Sequence, residues 1–217
     1  MKIIHLIIVT ILSATATYAN NAETAGKKMG VIDPVVNVDA LLPADADQEA
    51  HIVFVNVNNA MPEDDFRKAA AYIRMKYQLR VSVKSASGMF AQNVMADTAF
   101  LKETFGDKAV LVIAVVKEEK APSYLSIPGW FAQVNVSGLY KDGPDELFTY
   151  KRNSQMLMKG LAYACGLGAT MDNMCAMEHS SFTLEGMDAV SATYGPNTFF
   201  PMQTLFRKMT EGKVYVY

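Results

Sequence analysis

The sequence predicts an α/β fold: a mixed, mostly parallel sheet with helices packed on it, in one domain. Three observations lead there. From residue 51 onward, segments of period two alternate with segments of helical period, in the order strand, helix, strand, helix, strand. Ala109–Val116 is an unbroken apolar run, the pattern of a central strand covered on both faces. The chain has 217 residues, 51 % of them hydrophobic, enough to bury a sizeable core.

The elements follow in order. Lys2 precedes a mostly apolar stretch, Ile3 to Leu12, and small residues gather at Ala14, Ala16 and Ala19. The run is too short to span a bilayer comfortably, so residues 1–19 read as a cleaved signal peptide. The competing reading is an uncleaved anchor helix. No cysteine follows either small-residue cut, which argues against a bacterial lipid anchor there. No later apolar stretch reaches the ~20 residues of a membrane span. Residues 20–50 read as a linker and an irregular or partly extended lead-in, and 51–217 as the folded domain. The product is expected to be secreted or periplasmic.

His51–Val57 is β-branched and alternating, a strand. Pro62 followed by Glu63, Asp64 and Asp65 marks a helix start, because proline suits the first turn and acids suit the positive end of the helix dipole. Phe66, Ala69, Ala70, Ile73 and Tyr77 then share one face, which Arg67, Lys68, Arg74 and Lys76 largely avoid. Leu79, Val81 and Val83 alternate with Arg80, Ser82 and Lys84, a half-buried strand. The stretch 96–106 reads as a short helix stopped by Gly106. After the apolar strand, Pro128-Gly129 is a turn and Phe131–Val136 a further strand. Gly143-Pro144 breaks the chain, and a helix runs from Phe148 to Cys165, ending at Gly166-Leu167-Gly168. Met171 to Tyr217 reads as loops with one or two short helices, the last opened by Pro201.

The net charge of −2, with no basic run interleaved with aromatics, disfavours nucleic acid as a partner. Two cysteines, Cys165 and Cys175, are too few for a disulfide-built scaffold. They flank the glycine turn. They either bridge, closing a loop worth ~2–3 kcal/mol, or remain two thiols.

The stretch "LMKGLAYACGLGATMDNMCAM", Leu157 to Met177, resembles the archaemetzincins, zincin-fold metalloproteases with the motif H-E-x-x-H-x-x-G-x-x-H-C-x4-C-x-M. With the motif glycine on Gly166, its last cysteine falls on Cys175 and its methionine on Met177, without a gap, and Leu167 stands where a leucine usually follows the glycine. The resemblance covers about residues 50 to 180 and implies an α+β zincin-like domain. In it a helix of the active-site type is followed by a glycine turn and a Met-turn, with Met177 packed beneath the site.

The chemical positions do not match. The first histidine falls on Lys159, the glutamate on Gly160, the second histidine on Tyr163, the third on Ala169 and the first motif cysteine on Thr170. Catalytic zinc takes three protein ligands at about 2 Å and keeps one position open. Two histidines four apart on a helix supply two of them, and the glutamate takes a proton from the bound water. Beyond the leader only His51 and His179 remain, so zinc is not expected, although Asp172, Glu178 and Asp188 lie near in sequence.

Other constellations stand beside this one. Met171, Met174, Cys175, Met177 and His179 are soft donors in one stretch, open to a copper reading; core packing is the plainer one. Glu178-His179-Ser180-Ser181 lacks a nucleophile elbow and reads as a polar loop. His51 opens a strand. The aromatic stretch "YGPNTFFPM" reads as anchors for the tail or as a recognition loop. Lys159 and Tyr163 share one helical face; facing a cleft, Lys159 would hold an anion or pair with Asp172. The expected protein is a non-catalytic pseudo-metalloprotease that binds peptide or protein in its cleft or is structural. The alternatives are a hydrolase with a non-standard metal or non-metal site, and a copper-binding loop. The strand at Phe131–Val136 is the expected cleft edge, with Gln133 and Asn135 along it.

Overall fold

In the computed structural model of the chain, residues 52–87, 111–120, 122–139, 146–172 and 175–210 are described, together with Val38 and Leu42. Every described residue belongs to one compact unit, Ile32–Tyr217. The helix expected at 96–106 lies outside the described residues.

Among the described residues five strands form one sheet: β1 (Ile52–Val57), β2 (Val81–Ala86), β3 (Leu111–Val116), β4 (Tyr124–Ile127) and β5 (Phe131–Asn135). Their order is β2-β1-β3-β5-β4. All neighbours are parallel except β4, which runs antiparallel to β5. The register sets Ile52 beside Val81 and Leu111, Val112 beside Phe131, and Tyr124 beside Val134. Every residue of β1 and β3 is buried, as the unbroken apolar run of β3 requires. Alternation divides the core: Ile52, Phe54, Leu111, Ile113, Ala132 and Val134 join the helices on one side. Val53, Val55, Val57, Val112, Ala114, Val116 and Phe131 form a second cluster on the other face.

The β4–β5 hairpin corrects one expectation. Phe131–Asn135 is not a sheet edge, because β4 covers its outer side. The hairpin turns at Pro128-Gly129, with Gly129 at φ +84° and Trp130 N–H bonded to Ile127 O at 3.1 Å. Proline then glycine at positive φ is the pairing a type II turn selects.

The helices on the main-core face are α1 (Glu63–Tyr77) and α2 (Glu146–Ala164). Helix α1 carries Glu63, Asp64 and Asp65 in its first turn and buries Phe66, Ala69, Ala70 and Ile73. Helix α2 ends in a Schellman motif: Leu167 N–H bonds Ala162 O and Gly166 N–H bonds Tyr163 O, both at 2.9 Å, with Gly166 at φ +77°. Gly129 N–H, from the hairpin turn, bonds Ala164 O at 2.6 Å, so the turn itself serves as part of the cap. Beyond come a 3-10 turn (His179–Phe182), α3 (Leu184–Ala189) and α4 (Pro196–Thr210). Pro201 does not open the last helix; it lies inside α4, which Pro196 begins. Gly195 O already accepts from Thr198 and Phe199, and this starts the helix earlier. Upstream, Leu42 N–H bonds Val38 O at 2.7 Å and Leu42 is buried in the main core.

Candidate functional site around helix α2

Helix α2 is enclosed rather than amphipathic: residues 153–162 are all buried. One face contacts the sheet. A β-carbon built on Gly160 would lie 2.6 Å from Ile113 Cγ2 and 3.1 Å from Val134 Cγ1. Glycine is what lets the helix approach β3 and β5 this closely.

A second face carries Lys151, Gln155 and Lys159, spaced by four and therefore stacked one turn above another. Each donates to backbone carbonyls of the segment after the Met-turn position. Lys151 Nζ bonds Asp188 O at 2.6 Å. Gln155 Nε2 bonds Met187 O at 2.9 Å and Val190 O at 3.0 Å. Lys159 Nζ bonds Ser181 O. Beside the stripe, Arg152 grips the Asp188 carboxylate through Nε at 2.8 Å and Nη2 at 2.6 Å. Tyr194 OH donates to Met158 O. Helix α2 is thus tied to residues 181–194 by side-chain donors along its length.

Lys159 is 0 % exposed, with its Nζ 4.6 Å from the centre of the Phe182 ring. Burial pulls its pKa down to about 7. It neither faces an open cleft nor pairs with Asp172, the two outcomes the sequence left open. Tyr163, one turn on, meets Tyr124 of β4 (ring centroids 5.1 Å) and Phe182 (6.4 Å); Tyr124 meets Phe182 at 5.3 Å. This aromatic triad, with the Lys159 amine against one ring, fills the space beside the helix positions aligned with the two motif histidines. Burial raises the phenol pKa values of Tyr124 and Tyr163.

The remaining predicted positions fall as follows. Ala169 is exposed in the loop after the cap and carries no donor side chain. Gly166 and Leu167 form the Schellman cap described above. Cys175 to Glu178 make a tight turn, Glu178 N–H bonding Cys175 O at 2.9 Å. Cys175 and Met177 are both 0 % exposed, and Cys175 Sγ lies 3.5 Å from Thr198 Oγ1. Cys165 and Cys175 are free thiols, so the bridged alternative is not the one found. Burial pushes the Cys165 thiol up to about 12. Met171 is 86 % exposed. His179 is exposed as well, and both flank the bridge Thr170–Glu178.

Of the expected edge residues, Gln133 is 1 % exposed beside Ala114, and neither of its amide atoms has a hydrogen-bond partner. Asn135 is occupied within the fold, bonding Glu118 through its Nδ2 at 2.6 Å and accepting from Ser137 N–H at 3.1 Å. Neither lines a sheet edge. Among the described residues the outer strand on this side is β4, and the carbonyl-gripping stripe on α2 is not among the sequence-based expectations. Its signal was there: three long donor side chains at spacing four inside a helix with little amphipathic contrast.

The residues present do not fit a catalytic zinc. Position 160 has no side chain and no room for one, position 159 is committed to a backbone carbonyl, and position 163 is stacked among aromatics. Among the described residues no three His, Cys, Asp or Glu side chains converge. No described helix is long and apolar enough to cross a membrane.

No family model matches the chain, and no curated protein is similar to it. Solved structures are. Archaemetzincin from Methanopyrus kandleri superposes with a TM-score of 0.57 at 19 % identity, covering 77 % of this chain and 99 % of that one. A zinc-dependent peptidase from Methanocorpusculum labreanum superposes with a TM-score of 0.51 at 13 % identity, covering 70 % of this chain and 99 % of the other. The fold is therefore archaemetzincin-like and zincin-like.

Proposed function

We propose that the chain is an exported zincin-like protein without peptidase activity, a pseudo-metalloprotease that binds an extended peptide or protein segment along its sheet edge. The observation that carries the loss of catalysis is the Gly160–Ile113 approach. The position that would bear the water-activating glutamate is packed against the sheet. Residues 159 and 163 reinforce it, since neither is available to an ion. The N-terminal pattern of Lys2, the apolar run and Ala14, Ala16 and Ala19 supports export. Tyr124–Ile127 supports the binding role. Among the described residues β4 is the outermost strand, all four of its residues are half-buried, and Tyr124 sits beside the α2 face. An outermost strand is where an added strand pairs.

The test is direct. The mature chain is purified without chelator, metal per chain is measured, and casein and peptide libraries are offered. The expected result is no stoichiometric zinc and no cleavage, with peptide retention weakened by a proline substituted at Ser126, whose N–H faces away from β5 in this register. Cleavage abolished by a chelator would establish the hydrolase reading instead. One observation favours a second reading, copper binding: Met171 and His179 are both exposed at one bridge. Cys175 and Met177, buried at 0 % exposure, take no part in it. Stoichiometric copper in the same measurement would support it.

A further inference from the structure

A lysine buried among apolar groups costs stability, and methionine of similar length would fill the same space without that cost. Among the described residues Lys159 Nζ has one carbonyl partner, Ser181 O, and one ring face, Phe182, and the residue is 0 % exposed. The groups around it are few. On α2 stand Tyr163 and Gln155, one turn away on either side; from β4 comes Tyr124; β3 and β5 present Ile113 and Val134 near Gly160. His179 is exposed at the start of the 3-10 turn with Glu178 before it, and Asp188 of α3 is held by Arg152. None of these carboxylates is bonded to the Lys159 amine.

The carbonyl that receives the amine belongs to a small, self-contained hook. Ser181 Oγ bonds Ala176 O at 2.8 Å and Glu178 O at 2.7 Å, and Ser181 N–H bonds Glu178 O at 3.0 Å. Phe182, the next residue, lies against Tyr124 and Tyr163. Displacing this one hook would bring water to the amine and uncover both tyrosine rings beside β4.

We propose that Lys159 and the Ser181–Phe182 hook form a pH-sensitive latch that closes the 3-10 turn His179–Phe182 over helix α2 and, when released, bares the aromatic flank of strand β4. Closed, the amine is dry; open, it is hydrated and binds a proton as an ordinary lysine does. Between about 7, the value in the closed state, and the ordinary 10.5, the open state holds a proton that the closed state lacks. Rising pH therefore favours closure by about tenfold per unit across that window, and below it the dependence ceases because both states are protonated. The latch is loosest at neutral and acid pH and tightens toward alkaline pH.

Hydrogen exchange of the peptide spanning 179–184 in the full mature chain, at pH 7, 8 and 9 and corrected for intrinsic rates, tests it. The opening constant is expected to fall about tenfold per unit in the native chain. It is expected to be flat in K159M, which cannot titrate, and in K159R, which stays charged. A flat native profile, or the same slope in the variants, overturns the latch. Should neither variant fold, acetylation of Lys159 in the native chain decides. Its rate relative to the urea-unfolded chain is expected to fall about tenfold per unit from pH 7 to 9. A constant ratio overturns the proposal.

Discussion

Gly160 and Ile113 leave no gap between helix and sheet: a β-carbon on the glycine would sit 2.6 Å from the isoleucine's Cγ2. On the proposed reading, that single approach stands in the way of a catalytic glutamate at position 160 whatever the neighbouring residues are. A lost ligand can be replaced by substitution, but a closed helix–sheet interface has to be re-spaced.

G160A is accordingly expected to destabilise the fold by about 1–2 kcal/mol, overpacking outweighing alanine's better helix propensity. G160E is expected not to fold. Urea unfolding measures the first and soluble yield the second. The pair G160A/I113A should be less unfavourable than the sum of the single changes, which a double-mutant cycle reads directly. Rebuilding H-E-x-x-H as K159H/G160E/Y163H should yield no peptidase.

The buried amine makes global stability depend on pH in a definite direction. The folded pKa of Lys159, about 7, lies below its ordinary value of 10.5, so the unfolded chain binds the extra proton between them. Stability contributed by the neutral form rises with pH through that window, by at most ~1.4 kcal/mol per unit. The difference in unfolding free energy between the native chain and K159M should shrink or reverse in favour of the native chain from pH 7 to 9. A difference independent of pH would show that the amine is hydrated in the folded state.

Gly166 is at φ +77° in the cap of α2, with Pro128 Cβ 3.3 Å from where its own β-carbon would stand. G166A should cost about 1 kcal/mol or more, and G166N less, because asparagine tolerates the left-handed region better. Thermal unfolding of the two variants distinguishes a conformational cost from loss of an unrelated contact.

The thiols predict simple chemistry. Cys165 and Cys175 are unpaired, and Cys165 is held up to about 12 by burial. At pH 8 its thiolate fraction is on the order of one in ten thousand, so alkylation in the native state should be slow and become rapid only in denaturant. Electrophoretic mobility should be the same with and without reductant.

Strands β1, β3 and β5 and helix α1 were legible in the sequence because each carries a strong, local pattern: β-branched runs, or acids at the helix start followed by one apolar face. Strand β4 was not. Tyr124–Ile127 is four residues long and half-buried throughout, so it shows no inside–outside contrast, and without it β5 passed for an edge. The spacing of Gly166, Cys175 and Met177 located the cap and the buried turn. The burial of Lys159 could not be read, since a lysine on a helix normally faces water and its partner is a backbone carbonyl twenty-two positions away, without a residue type to betray it. The stripe of Lys151, Gln155 and Lys159 becomes intelligible only when α2 is known to be enclosed on all sides.

The same enclosure governs how the chain can be made. Tyr72 OH bonds Ala192 O at 2.8 Å, Tyr77 OH receives Tyr194 N–H at 2.9 Å, and Met158 O is met by Tyr194 OH. Early helices therefore wait for partners that leave the ribosome late, and a nascent chain stopped before Ala192 lacks all three of these bonds and leaves a half-built interior. Completion of this interior is therefore timed by residues 192–194, whatever element was made first.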